Sequence, residues 1–420
     1  MSVYERNTLT NGIRVVTAPM AHAQSTACFV MLAAGSRYEA AEENGLAHFV
    51  EHMLFTGTER RPSVRALTGE VDAIGGQFNA ATSKEYTYYY VKCASAYAPQ
   101  ALDVLADMLR NSRFDLGEVE REKGVIVEEM RSRFDTPRDY VDELYEQMLY
   151  GETPLGRRTL GRFDTVEAVT RDACVDYVTR LYEPTRMVVG LAGRVEDALL
   201  EAVEQLLGDL EPRPAEGPDR LRSTNGVERV RIDGKDSDQA NLCLGFRSYP
   251  LSHPDRYVLQ LLATILGGGM SSRLTEELTM RRGLAYTIRA LNHSHTDAGS
   301  LWAQGGVNVE RVDDAVEAIA AELLRVAGEP VPQGELDKAR NYSKGRFVFS
   351  IETPQGLLSF GLRRETLEAR VAQPDEVIAG LDAVTVADVQ RVANDLTAGG
   401  LYLALVGPYD DPARFEHLIG

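Results

Sequence analysis

Four segments of this 420-residue chain return later in the same order and at nearly one spacing. A chain that repeats itself in this way folds as copies of one unit. Thr-Asn-Gly-Ile-Arg-Val at Thr10 comes back as Thr-Asn-Gly-Val-Glu-Arg-Val at Thr224, an offset of 214. Ala-Val-Thr at Ala168 returns at Ala383, and Met-Val-Val-Gly-Leu-Ala-Gly at Met187 matches Leu-Tyr-Leu-Ala-Leu-Val-Gly at Leu401, offsets of 215 and 214. The stretch that begins Gly-Glu-Val-Glu at Gly117 lies without gaps on the one that begins Gly-Glu-Leu-Asp at Gly334, offset 217. The period of about 210 residues is too long for a solenoid, so two homologous domains are expected. The stretch 208–226 holds three prolines and several charges between an apolar helical run and a new strand. It predicts a linker at about 212–224 between domains at 1–211 and 225–420.

Within the first half, runs rich in Val, Ile and Tyr predict strands at 25–33, 85–93 and 186–191, and helical periodicity predicts helices at 45–55, 98–111 and 116–133. Strands and helices do not alternate regularly. The expected class is therefore α+β, each domain a mainly antiparallel sheet with flanking helices, rather than a doubly wound parallel sheet. Lysine and arginine total 45 against 63 aspartate and glutamate, a net charge of −18. Such a surface repels phosphate backbones and anionic lipid, so neither nucleic-acid nor membrane binding is expected. No apolar run reaches the roughly 18–20 residues that span a bilayer. The N-terminal residues have neither a basic flank before an apolar stretch nor an Arg/Ser-rich amphipathic pattern, which predicts a cytoplasmic protein. Cys28, Cys93, Cys174 and Cys243 form no Cys-x-x-Cys pair and are expected to be reduced core residues.

The chemistry is concentrated in Gly-Leu-Ala-His-Phe-Val-Glu-His at 45–52. His48, Glu51 and His52 stand at i, i+3 and i+4, on one face of a helix. Two imidazoles one turn apart can grip one metal ion, and a carboxylate between them can reach a water at the metal; His-x-x-Glu-His is the inverse of the zincin motif. A coincidental pair of surface histidines is the plain alternative. Against it, these are two of seven histidines in the chain, set among Leu46, Phe49, Val50, Leu54 and Phe55. A catalytic zinc takes three protein ligands, so a carboxylate from another element is expected. The run from Gly117 offers Glu118, Glu120, Glu122, Glu128 and Glu129, of which Glu122 and Glu129 are two helical turns apart and share a face. The repeat supplies an internal control. Opposite Glu122 and Glu129 stand Ala339 and Arg346, and opposite His48, Glu51 and His52 stand Gln260, Ala263 and Thr264. Candidate metal residues are absent from a copy whose scaffold persists, as expected of side chains that do chemistry in one half only.

The His-Phe-Val-Glu-His segment, a glutamate 77 residues beyond its second histidine, Gly75-Gly76-x-x-Asn79-Ala80-x-Thr82-Ser83-x-Glu85, and the Gly-Gly-Gly-Met-Ser-Ser-Arg-Leu and Arg-Arg-Gly-Leu-Ala-Tyr segments of the second half together resemble the pitrilysin/insulinase family. The likeness covers essentially the whole chain, and its short processing-peptidase-like branch is the most similar. It implies one zinc ion per chain, bound by His48, His52 and Glu129, with Glu51 as base and Glu122 supporting the site from behind. It also implies that Asn79 and Ala80 lie beside an extended peptide substrate, that Tyr286 helps hold the substrate carbonyl, and that two chains close as a clam shell around a chamber.

One departure stands out. The family carries an arginine seven residues before this tyrosine, where the present chain has Thr279, with Arg281 and Arg282 close by. Either one of these substitutes, or a partner supplies the Arg–Tyr pair; a homodimer and a heterodimer with a paralogue are both expected forms. The reading is a zinc endopeptidase acting on unfolded peptides or targeting-sequence-like segments. The alternatives are the zinc-bearing subunit of a heterodimeric processing peptidase, or a non-catalytic assembly subunit. The glycine run at Gly267 has no Lys-Ser/Thr after it, which argues against a phosphate loop. His253, His293, His295 and His417 show no ligand spacing and are read as surface residues.

Overall fold

The computed structural model describes residues 2–214, 217–221 and 228–420, so part of the expected linker and the start of the second repeat at 224–227 lie outside the described residues. The chain divides into two compact units. The first comprises Met1–Met130, Arg157–Asp219 and Val348–Pro374; the second comprises Arg131–Gly156, Arg220–Phe347 and Asp375–Gly420.

In the first unit β1 (Glu5–Thr8), β2 (Arg14–Pro19), β3 (Ser25–Leu32), β4 (Gln77–Thr82), β5 (Thr87–Ala94) and β6 (Met187–Gly193) form one sheet in the order β1-β2-β6-β3-β5-β4. The second unit orders β7 (Val230–Gly234), β8 (Gln239–Ser248), β9 (Ala285–Ser294), β10 (Gly299–Asn308) and β11 (Tyr402–Gly407) as β7-β11-β8-β10-β9. Apart from the extra edge strand β1, the two orders are the same, which is the repeat written in three dimensions. Each sheet has one parallel pair, β2/β6 and β11/β7, among antiparallel neighbours. The helices α1 (Leu46–Leu54), α2 (Val64–Ala73), α3 (Ala98–Asn111), α4 (Leu116–Phe134) and α5 (Pro137–Tyr150) follow the periodicity of their sequences. The four cysteines are buried and unbridged.

The compact units depart from contiguous halves by exchanging a helix. The reason lies in the strands. On β3, Cys28, Val30 and Leu32 enter the core shared with α1 and α3, while Ala27, Phe29 and Met31 point to the opposite face. A sheet apolar on both faces needs cover on both. The second cover is the helix Pro354–Glu368, from the far half of the sequence, whose Leu357, Leu358 and Leu362 pack on that face. Gly190 on β6 lets it approach: a Cβ there would stand 2.5 Å from a Leu362 methyl. The second unit is built in the same way from α5, whose Tyr140, Tyr145 and Met148 cover Cys243, Trp302 and Ala404. The Tyr145 and Trp302 rings are 5.7 Å apart. Pro137 and Pro354, which open the two exchanged helices, are separated by the repeat offset of 217.

Helix α1 starts from Gly45, with φ +99°. Its first free N–H groups are satisfied by the buried Glu39, which accepts from Gly45 N at 2.9 Å and Ala47 N at 2.6 Å. A Cβ at position 45 would lie 2.8 Å from backbone atoms of Leu160 and Gly161. Gly45→Ala is therefore expected to lower unfolding stability by about 1–3 kcal/mol from the backbone conformation alone, read as a shifted denaturant midpoint. An unchanged midpoint would show that the helix start can relax.

Candidate metal centre

Helix periodicity puts His48, Glu51 and His52 on one face of α1, and α4 brings Glu122 and Glu129 to that face. His48 Nε2 and His52 Nε2 lie 3.7 Å and 3.5 Å from the same Glu129 oxygen. The two rings meet edge-on with centroids 4.6 Å apart. With metal–ligand bonds of 2.0–2.1 Å, donor atoms around a tetrahedral ion stand about 3.3 Å apart. The three donor atoms lie within 4.8 Å of one another, close enough for the trio to hold one metal ion. The neighbouring Glu128 is not in the group.

The supporting contacts favour metal binding. His52 Nδ1 lies 3.1 Å from Glu122 Oε2, and a proton kept there would leave Nε2 as the ligand atom once Nε2 has lost its own proton. Glu122 is buried, and its other oxygen takes an ion pair from Arg121 at 2.7 Å. Burial alone would raise the Glu122 pKa; the His52 bond and the Arg121 charge outweigh it and hold the carboxylate below its usual range. Glu51 shows the opposite balance. Burial raises its pKa, and the hydrogen bond from Thr82 only partly offsets that. The Thr82 hydroxyl donates to Glu51 Oε2 at 2.5 Å. Thr82 ends β4 and is the neighbour that sequence reasoning left without a role; only the β4/β5 hairpin carries it to α1.

Asn79 and Ala80 sit on β4, whose outer edge pairs with no strand among the described residues. Tyr286 is on β9 in the second unit, 89% exposed, and lines a cleft of about 520 Å³ with Arg138, Arg289 and Gln304. Thr279 lies in a π-type helical turn, Thr275–Arg281. Arg281 pairs with Glu276 at 2.5 Å and Arg282 with Glu277 at 2.7 Å, so both arginines flanking the expected position are engaged locally.

The two imidazoles hold protons very differently in the metal-free chain. Burial, reinforced by the His52 charge, pushes His48 down to about 4. Burial also works against the His52 cation, but Glu122 and Glu129 outweigh it and raise His52 to about 9. At pH 7.5 His52 is thus protonated and His48 is not. Zinc binding at this pH is expected to release about one proton, since a ligand nitrogen must be bare. Calorimetry in buffers of different ionisation enthalpy measures it. Release should vanish above about pH 9, and affinity should rise about tenfold per pH unit below it. A pH-independent affinity would contradict this assignment.

Residues 14–162 match the family described as Insulinase (Peptidase family M16), and residues 168–343 match Peptidase M16 inactive domain. A protein of Bacillus subtilis named "Uncharacterized zinc protease YmxG" is 36% identical over 410 residues, 96% of this chain and 98% of that protein. The chain belongs to the insulinase (M16) peptidase family. A protein of Arabidopsis thaliana named "Probable mitochondrial-processing peptidase subunit beta, mitochondrial" is 33% identical over 418 residues, 96% of this chain and 78% of that one. The crystal structure of a protease from Helicobacter pylori superimposes with a TM-score of 0.88 at 22% identity, covering 97% of this chain and 100% of that one. This M16 chain therefore has the two-domain α+β fold of its family, and its relatives are named zinc proteases. No helix among the described residues is long and apolar enough to cross a membrane.

Proposed function

We propose that this M16 chain is a zinc endopeptidase that hydrolyses unfolded peptides or targeting-sequence-like segments. The observation that carries the reading is the convergence of His48, His52 and Glu129 on one point, with Glu51 on the same helix face. His48, His52 and Glu129 would hold the zinc, which would supply a Lewis acid to acidify water and to stabilise charge on the scissile carbonyl oxygen. Glu51 is the general base: it takes the proton of the attacking water and passes it to the leaving amine. Thr82 holds one of its oxygens in place. Glu122 fixes the orientation of the His52 ring. The open edge of β4 at Asn79 and Ala80 takes the extended substrate as an added strand, and main-chain pairing of this kind tolerates many sequences.

In a self-sufficient enzyme Tyr286 would hold the substrate carbonyl. With Thr279 at the arginine position and Arg281 and Arg282 tied to glutamates, a second reading is favoured for the assembly. In that reading the chain is the zinc-bearing subunit of a heterodimeric processing peptidase, whose partner supplies the Arg–Tyr pair across a clam-shell chamber. The deciding test is cleavage of a quenched peptide by the purified chain, with and without a chelator. Chelator-sensitive cleavage supports a self-sufficient enzyme. Bound zinc without cleavage directs attention to the partner, and absence of zinc uptake overturns the assignment of the centre.

A further inference from the structure

Glu146, His293 and His295 form a second group of metal-type donors, wholly inside the second unit. From sequence both histidines read as isolated surface groups, and the fold corrects that reading. His293 lies near the end of β9 and His295 just beyond it, and residues two apart along an extended strand share a face. The backbone of His295 is fixed on both sides: its N–H donates to Ala298 O and its carbonyl accepts from Leu251 N, each at 2.8 Å. Its side chain is 3% exposed, edge-on to the Tyr150 ring. Glu146 arrives from α5, the exchanged helix. One of its carboxylate oxygens lies 3.2 Å from His293 Nδ1 and 3.9 Å from His295 Nε2. The two imidazole rings are 4.4 Å apart, centre to centre.

We propose that Glu146, His293 and His295 bind a second divalent cation of the zinc class, which fastens α5 to the edge strand β9. Three observations support this. The donor set, two imidazoles and one carboxylate, repeats that of the first centre, and its spacings of 3.2 and 3.9 Å bracket the 3.5 and 3.7 Å found there. Two imidazoles select a borderline transition ion over magnesium or calcium, which prefer oxygen ligands. Glu146 is on α5, which packs on the sheet, and the histidines are at the end of its edge strand β9, so the cation adds a cross-link between segments 147 residues apart in sequence. With three protein ligands one coordination position would be left for water.

The test is a count of zinc taken up by the metal-free full-length chain, using Zn²⁺ alone and native mass spectrometry. Two equivalents are expected in the parent and one in His52→Ala. One is also expected in His293→Ala/Glu146→Gln, and none in the triple variant. Melting temperature supplies a second readout: added Zn²⁺ should raise it in His52→Ala and leave it unmoved in the triple variant. His293→Ala alone, at a half-exposed position, repeats the test without touching α5. A parent that takes up a single equivalent, lost in His52→Ala, overturns the second site and leaves the first intact. Two equivalents persisting in His293→Ala/Glu146→Gln overturn it as well. A single equivalent that survives His52→Ala and is lost in His293→Ala would instead uphold the second site and remove the first.

Discussion

Glu51→Gln is expected to retain its zinc and to lose peptide hydrolysis by about 10²–10⁴-fold in kcat. Glutamine keeps the shape of the side chain, and its carbonyl oxygen still accepts the hydrogen bond from Thr82. The face of α1 that presents His48 and His52 is left undisturbed. What disappears is the only group of that face able to accept a proton while both imidazoles are engaged as ligands. Metal analysis alongside steady-state kinetics separates the two effects. Undiminished kcat with full zinc would remove Glu51 as the base.

His48→Ala acts one step earlier, on the metal itself. Three protein ligands sharing roughly 10 kcal/mol of binding free energy imply that loss of one weakens zinc on the order of 10²–10³-fold. The His48 side chain is almost buried between α1 and α4, so alanine leaves space without introducing a new donor. Competition against a chromophoric chelator measures the affinity of the catalytic centre, and peptide cleavage should fall with its occupancy. Full affinity in His48→Ala would exclude this residue from the ligand set. A circular-dichroism melt of the metal-free variant keeps a folding defect apart from a binding defect.

The second copy of the repeat shows how far the scaffold is independent of the chemistry. In place of His52 the helix Arg256–Gly267 carries Thr264, whose hydroxyl lies 2.9 Å from that of Ser343 on the helix Gln333–Ile351. A neutral hydrogen bond thus joins the pair of helices that correspond to α1 and α4. The packing of the fold does not require a metal there, which agrees with the placement of the candidate ligands in one half only.

Much of the centre was legible in the sequence because helix geometry is local. At about 100° per residue, the spacing of His48, Glu51 and His52 fixes a shared face, and the seven-residue step does the same for Glu122 and Glu129. The repeat likewise announced two sheets of one design, since strands of equal sequence pattern pair alike. Other features depend on residues that meet only after the strands are ordered. Thr82 reaches Glu51 through a hairpin register, and the carboxylate of Glu146 reaches His293 across 147 residues. The exchanged helices belong with these. Both faces of each sheet are apolar, which could be read from the strands, but covering a face is a matter of which helix is nearest in space. The sequence by itself therefore determined the repeat, the helix faces and the candidate ligands of the first centre. Only the tertiary structure decided which half covers which sheet and which distant donors converge, because no local periodicity encodes a long-range contact.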